Sequence, residues 1–271
     1  VGVVGKDFNA IFSKQKGLVS YRYHQQEYIR VPVSPNFFRA ATNNDVENKY
    51  GYRYGKWLTA SLYAKCEFVG VSKGDSSCKV EYAYDLPNLQ DEKVHLVYEV
   101  YGDGKIIVDM TYQPVSSEIE MPVFGLIFQL YKDMEEVNYY GYGPEENYID
   151  RNKGALLGKY TYQVTDNLTP YLYPQECGNR THVRELSVAG ENTKLKIKGE
   201  DFEFSALHYT PYELENARHR DELPNIYQTV LCINEKQMGI AGDDTWGAKT
   251  HDEFLLDKEK HHLRFSFKGK L

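Results

Sequence analysis

The sequence predicts a large all-β chain, and three observations carry that expectation. Tyrosine is unusually frequent, at 24 of 271 residues within an aromatic fraction of 14%, and aromatic side chains suit the pleated, half-buried surface of a sheet. Apolar residues recur in many short alternating runs, the period-2 signature of strands. Helix signals are few and short. With 41% hydrophobic content, the chain can bury a full core, and we read residues 1–271 as one domain.

Taken in order, residues 1–12 alternate loosely, Lys14-Gln15-Lys16-Gly17 reads as a turn, and 18–23 and 28–33 are two further strands of a meander. Pro32 and Pro35 mark its exit from the sheet. Residues 37–54 are rich in Asn, Asp and Tyr, which predicts a long polar loop with binding potential. A short helix is expected over 57–63. Strands are then expected at 65–71, 78–86, 93–101 and 105–115, the last two joined by Gly102-Asp103-Gly104, the clearest hairpin signal in the chain. Asn88-Leu89-Gln90-Asp91 supplies another turn.

Residues 123–130 form an apolar strand, and 138–148 a second polar, aromatic loop. Within it Pro144-Glu145-Glu146 reads either as a working acid pair or as the start of a short helix, with carboxylates near its positive end. Residues 171–180 form a third loop of the same kind. Three such loops suggest that one edge of the scaffold binds something polar. Strands are expected at 183–188, 193–197 and 202–207. Thr210-Pro211-Tyr212-Glu213 then has the composition of a capping box, opening a helix that ends near His219. Strands at 227–233, 238–241, 253–256 and 262–267 complete the sheet.

Charge and cysteine usage narrow the function. There are 32 basic and 39 acidic residues, a net charge of −7, and the basic residues form no long run. Nucleic-acid and anionic-membrane partners are disfavoured, and no stretch of about 18 apolar residues offers a membrane span. Cys66, Cys78, Cys177 and Cys232 are widely spaced without a C-x-x-C pair, so free thiols in a reducing compartment are expected.

Chemistry points to Met238-Gly239-Ile240-Ala241-Gly242-Asp243-Asp244-Thr245-Trp246-Gly247. A short apolar run opens into two carboxylates and one of only two tryptophans. An indole beside acids suits a sugar, whose C–H face rests on the ring while its hydroxyls donate to carboxylates. Equally, Trp246 can fill a core edge, with Asp243 and Asp244 as turn formers. His182, His208 and His219 lack a spacing that would place two imidazoles on one metal. Serine-nucleophile and nucleotide-binding motifs are absent. Asp243, Asp244, Glu145, Glu146 and Glu176 are the available acids, but adjacent strand residues face opposite ways, so none forms a convincing catalytic pair. Asn234-Glu235 is read as a turn before Met238.

Four stretches carry a family resemblance: Asn36-Phe37-Phe38-Arg39-Ala40-Ala41-Thr42-Asn43-Asn44-Asp45, Gly141-Tyr142-Gly143-Pro144-Glu145-Glu146-Asn147-Tyr148-Ile149-Asp150-Arg151, Pro170-Tyr171-Leu172-Tyr173-Pro174-Gln175-Glu176-Cys177-Gly178-Asn179-Arg180 and Gly239-Ile240-Ala241-Gly242-Asp243-Asp244-Thr245-Trp246. In content and order they resemble the C-terminal domain of the large bacterial β-galactosidases of glycoside hydrolase family 2. The resemblance implies a β-supersandwich like that of galactose mutarotase, packed on a catalytic barrel that this chain does not contain. The barrel would carry the catalytic glutamates and the metal ions, such as Mg and Na, leaving this domain without cofactors and inactive in isolation.

By the same resemblance the domain contributes the rim of a β-galactoside pocket in a cytoplasmic, homo-oligomeric hydrolase, as part of a long chain or as a separate small subunit. The tryptophan of D-D-x-W falls on Trp246, which would stack on substrate. Asp243 and Asp244 would shape its loop, and Arg39, Asn43, Asn44 and Asp45 would order the neighbouring one, with residues 46–54 near the same pocket. Glu47-Asn48 stands where many members have a glycine, and Cys177 replaces a common asparagine. Two alternatives stay open: a stand-alone aldose-1-epimerase-like enzyme using His208 with Glu176, and a non-catalytic carbohydrate-binding module.

Overall fold

A computed structural model describes residues 1–89, 92–115, 120–244, 246–256 and 260–270. Gln90 and Asp91 of one expected turn and Thr245 of the D-D-x-W motif lie outside them. The chain opens with β1 (Gly2–Val4), β2 (Phe8–Ser13), β3 (Gly17–Tyr23), β4 (Gln26–Glu27) and β5 (Ile29–Asn36). Helices α1 (Asn43–Glu47) and α2 (Tyr50–Tyr63) follow. Next come β6 (Lys65–Lys73), β7 (Ser77–Asp85), β8 (Lys93–Tyr101), β9 (Ile106–Tyr112), β10 (Val123–Tyr131), β11 (Glu136–Gly143) and β12 (Leu156–Gln163). The chain continues through β13 (Arg180–Ala189), β14 (Lys194–Leu207), α3 (Pro211–Asn216), β15 (Gln228–Gln237) and β16 (His261–Lys270).

β1 to β4 form a small antiparallel sheet, and a large antiparallel sheet runs β12-β11-β13-β14-β16-β9-β8-β7-β6. The large sheet forks on β14. Its first half, through Gly199, pairs with β16, while Glu203 to Leu207 pair with β15, which continues through β10 to β5. One strand therefore belongs to both layers, and the core fills the space between them: Phe128 of β10 packs edge-on against Phe265 and Phe267 of β16. Phe124 stacks on Tyr112, which in turn meets Trp57 of α2. The small sheet closes the far end, with the Tyr21 hydroxyl donating to the Gly104 carbonyl and accepting from the Gly269 amide. This is the large antiparallel supersandwich expected from the sequence, with few helices.

Several local expectations need correction. The 37–54 stretch is not one loop, because α2 starts at Tyr50 rather than Trp57. Tyr50, Tyr54, Trp57 and Ser61 are all buried, and spacing by three and four residues puts them on one helical face; their burial overrides the poor helix propensity of Gly51 and Gly55. Residues 138–143 are the end of strand β11, with Tyr139, Gly141 and Gly143 facing inward. Pro144-Glu145-Glu146 starts no helix and is a bend. The strands expected at 193–197 and 202–207 are the single strand β14. Asn234-Glu235 lies inside β15 and makes no turn, whereas 238–241 is irregular rather than a strand. Residues Asp252–Phe254 are a turn of 3-10 helix where a strand was expected.

Other elements match. The Gly102-Asp103-Gly104 hairpin joins β8 to β9, with Gly104 at φ 86°, a conformation open to glycine without steric cost. Thr210 and Glu213 form a reciprocal capping box, although α3 ends at Asn216 rather than His219. All four cysteines are free.

Candidate functional site

The four motif stretches converge at one end of the sandwich. Arg39 follows β5 and is buried; its Nη1 donates to Asp45 Oδ2 at 2.5 Å and its Nη2 to the Gly239 carbonyl at 3.2 Å. Asp45 is the third residue of α1, where its carboxylate accepts from the Thr42 amide while its own amide donates to the Thr42 hydroxyl. The ion pair therefore doubles as a helix cap, satisfying amides that a helix start leaves unpaired. The Tyr50 ring lies 5.4 Å from the Arg39 guanidinium, and its hydroxyl donates to the Arg39 carbonyl.

The loop that carries Trp246 is fastened to this frame. Asn44 Nδ2 donates to the Ala248 carbonyl at 3.1 Å, and Asp150 accepts from the Ala241 backbone amide at 2.9 Å. Asp244 Oδ1 accepts from the backbone amides of both Trp246 and Ala248. Trp246 itself is 82% exposed. Its indole is held out by a fixed backbone instead of being buried in a core edge. Asp243 is exposed and pairs with exposed His251 at 2.8 Å, which raises the imidazole above its usual range.

Below the loop lies a buried polar layer. Asn43 reaches it through its backbone amide, which donates to Gln175 Oε1. Glu176 Oε1 accepts from Gln237 Nε2 at 3.2 Å and from the Tyr148 hydroxyl at 3.5 Å. Burial pushes the Glu176 carboxyl up to about 7, against the pull of Arg39 and of the Gln237 donor. Glu203, beneath it, accepts from Asn179 and from the Gln237 amide, and burial pushes it up to about 8. The space between Arg39, Glu176, Asn234 and Gln237 amounts to about 10 Å³, room for no more than about one water molecule.

Glu146 opens no helix. It accepts from the Gly178 amide, Thr169, Tyr171 and Arg151, tying the second motif to the third. Burial alone would raise its carboxyl, but these donors hold it below the ordinary carboxylate range. His208 stands apart from Glu176: its Nδ1 is 2.8 Å from the Gln228 carbonyl and its Nε2 is 2.8 Å from Glu135. The pair needed for the epimerase alternative is not brought together.

The structure thus gathers Arg39, Asn43, Asn44, Asp45, Asp244, Glu176 and Trp246 at one end. Asp150, Tyr148 and Gln237 join them without having been singled out as site residues. Asp150 and Tyr148 were inside a quoted motif, whereas Gln237 carries no local signal because a strand end supplies it. No group of three or more His, Cys, Asp or Glu side chains is arranged to hold a metal ion among the described residues. Among those residues, too, no helix is long and apolar enough to cross a membrane.

The forked antiparallel supersandwich is a galactose mutarotase-like fold. The fold is similar to that of an aldose epimerase homologue from C. elegans, with a TM-score of 0.54 at 11% identity over 100% of this chain and 98% of that one. Galactose 1-epimerase from Lactobacillus acidophilus gives a TM-score of 0.52 at 10% identity, over 100% and 97% of the two chains. At that identity the likeness is one of fold. Residues 4–268 match the family model of the beta galactosidase small chain, and the chain belongs to that family.

Among relatives, the beta-galactosidases of Halalkalibacterium halodurans and Streptococcus thermophilus are 39% and 38% identical over 98% of this chain. The chain spans only 27% and 26% of their lengths. The beta-galactosidase small subunit of Latilactobacillus sakei is 30% identical, over 98% of this chain and 94% of that protein.

Proposed function

We propose that this chain is the non-catalytic C-terminal part of a β-galactosidase that hydrolyses terminal β-D-galactosides, and that it supplies the rim of the sugar pocket. The carrying observation is Trp246, an indole 82% exposed on a loop whose backbone is fastened by Asp244, Asn44 and Asp150. Such a ring offers a flat apolar face to a pyranose at little ordering cost, because its loop is already set. The buried acids beneath it lie under the loops, so the cleavage itself falls to a catalytic barrel, on the same polypeptide or on a large subunit, against which this end packs. Asp244 and the Arg39–Asp45 pair hold the loop, and Asn43 and Asn44 anchor its neighbour.

The test is steady-state kinetics of the assembled β-galactosidase containing this chain. Trp246→Ala lowers kcat/KM for a β-galactoside about tenfold or more, equivalent to ~1.4 kcal/mol, and Trp246→Phe retains part of the loss. Unchanged kinetics in Trp246→Ala would remove the rim reading. Activity of this chain alone would remove its non-catalytic assignment.

A further inference from the structure

The outer face of the large sheet carries a second feature, remote from the Trp246 loop. A groove of about 280 Å³ runs across β12, β11, β13 and β14, with Lys194, Lys196 and Lys198 of β14 on one side and Lys159 of β12 on the other. Alternation along β14 puts Leu195 and Ile197 into the core and the three lysines outward. Register then sets Lys194 opposite Lys270 and Lys196 opposite Lys268 on β16. Like charges directly opposite one another on antiparallel strands are destabilising, yet here two such pairs lie side by side in a chain whose net charge is −7.

Neutralisation within the chain is partial. Lys198 pairs with Glu185 at 2.7 Å and Lys268 with Asp103 at 3.0 Å. Among the described residues, Lys159, Lys194, Lys196 and Lys270 form no ion pair. Lys270 holds the Lys196 ammonium below the ordinary lysine range, with Lys194 and Lys198 adding to the effect. Between the β14 lysines and Lys159 the groove is lined by hydrogen-bonding groups, Asn138, Tyr140, Thr161 and Ser187, and by the Glu185 carboxylate, with the Arg184 guanidinium 5.9 Å from the Tyr140 ring.

We propose that this groove is an oxyanion-binding site, taking phosphate or sulfate either free or as the ester group of a phosphorylated sugar. Lys194 and Lys196 receive the anion, with Lys159 and Lys270 adding to the field. The amide, hydroxyl and aromatic groups between the β14 lysines and Lys159 are the surface a sugar ring attached to that anion would meet. Binding offsets the lysine repulsion that the strand register imposes, so the anion stabilises the fold.

The experiment is thermal unfolding of the chain in sodium phosphate, glucose 6-phosphate and sodium chloride at matched ionic strength. The wild-type Tm rises by a few degrees and saturates in the two phosphates but not in chloride. Lys194→Ser/Lys196→Ser abolishes that rise and, without phosphate, is at least as stable as the wild type. Lys73→Ser/Lys79→Ser, which removes the same charge at the other end of the sheet, keeps it. A lower midpoint for glucose 6-phosphate than for phosphate identifies a sugar phosphate as the ligand, and equal midpoints identify the free oxyanion. Equal responses to phosphate and chloride, or a response in Lys194→Ser/Lys196→Ser like that of the wild type, overturn the proposal.

Discussion

Arg39 Nη1 and Asp45 Oδ2 stand 2.5 Å apart with the two side chains only 1% and 4% exposed, and the same guanidinium holds the Gly239 carbonyl 200 positions along the chain. The pair joins the start of α1 to the segment that leads to Trp246. Removing one partner of a buried ion pair leaves an uncompensated charge, which costs about 3–5 kcal/mol. Asp45→Ala therefore lowers unfolding free energy by about that amount in urea titrations, whereas Arg39→Met/Asp45→Leu recovers much of it. A loss below about 1 kcal/mol in Asp45→Ala, on the scale of an exposed pair, would show that water reaches the site.

The two tryptophans report separately on the core and on an exposed loop. Trp57 is buried, with its Nε1 donating to the Glu120 carbonyl, and Trp246 is exposed. In a Trp57→Phe chain, emission from Trp246 is red-shifted and quenched strongly by acrylamide; in Trp246→Phe, emission from Trp57 is blue-shifted and protected. Because Trp246 buries little, Trp246→Ala changes stability by no more than about 0.5 kcal/mol. Shielded emission from Trp246 would mean that the indole is packed and unavailable to a sugar.

The buried carboxyls give stability a definite pH slope. Burial raises Glu176 to about 7 and Glu203 to about 8, from 4.5. Between about pH 4.5 and pH 8 the folded chain holds protons that the unfolded chain has released. Stability therefore falls as pH rises through that window. The fall is on the order of a few kcal/mol from pH 5 to pH 8, and Glu203→Gln flattens it. Glu146 works in the opposite sense, since its lowered carboxyl contributes stability that is lost only as pH falls below the ordinary range. Urea midpoints across pH 5 to 8 that rise rather than fall would contradict the burial of these two acids.

Strands with one buried and one solvent face were legible, because period-2 alternation and the sheet impose the same pattern; β8 and β9 are examples. The capping box at Thr210 and the hairpin at Gly104 were legible because their chemistry is local. Tyrosine misled in both directions. In Tyr50-Gly51-Tyr52-Arg53-Tyr54 it mimicked a polar loop inside a helix, and in Tyr139-Tyr140-Gly141-Tyr142 it did so inside a strand. Both choices depend on which ring is buried, a tertiary fact. At the site, motif composition located the loops, but the partners of Glu176 and Asp150 come from the end of β15 and the irregular stretch that follows it, and carry no sequence spacing.

Gly247 offers a direct test of how the tryptophan loop is held. It sits at φ 102°, and a Cβ there would lie 2.9 Å from the Glu47 carbonyl oxygen. An alanine meets both a conformation that L side chains rarely adopt and the backbone at the end of α1. Gly247→Ala is expected to cost more than about 1 kcal/mol or to displace the loop from α1, releasing the Asn44 bond to Ala248 next to it. In a Trp57→Phe background, Trp246 fluorescence anisotropy separates these outcomes from a neutral one. Lower anisotropy at unchanged secondary structure means that α1 restrains the tryptophan loop. Unchanged anisotropy and stability would mean that Asp244 and Asp150 hold it without α1.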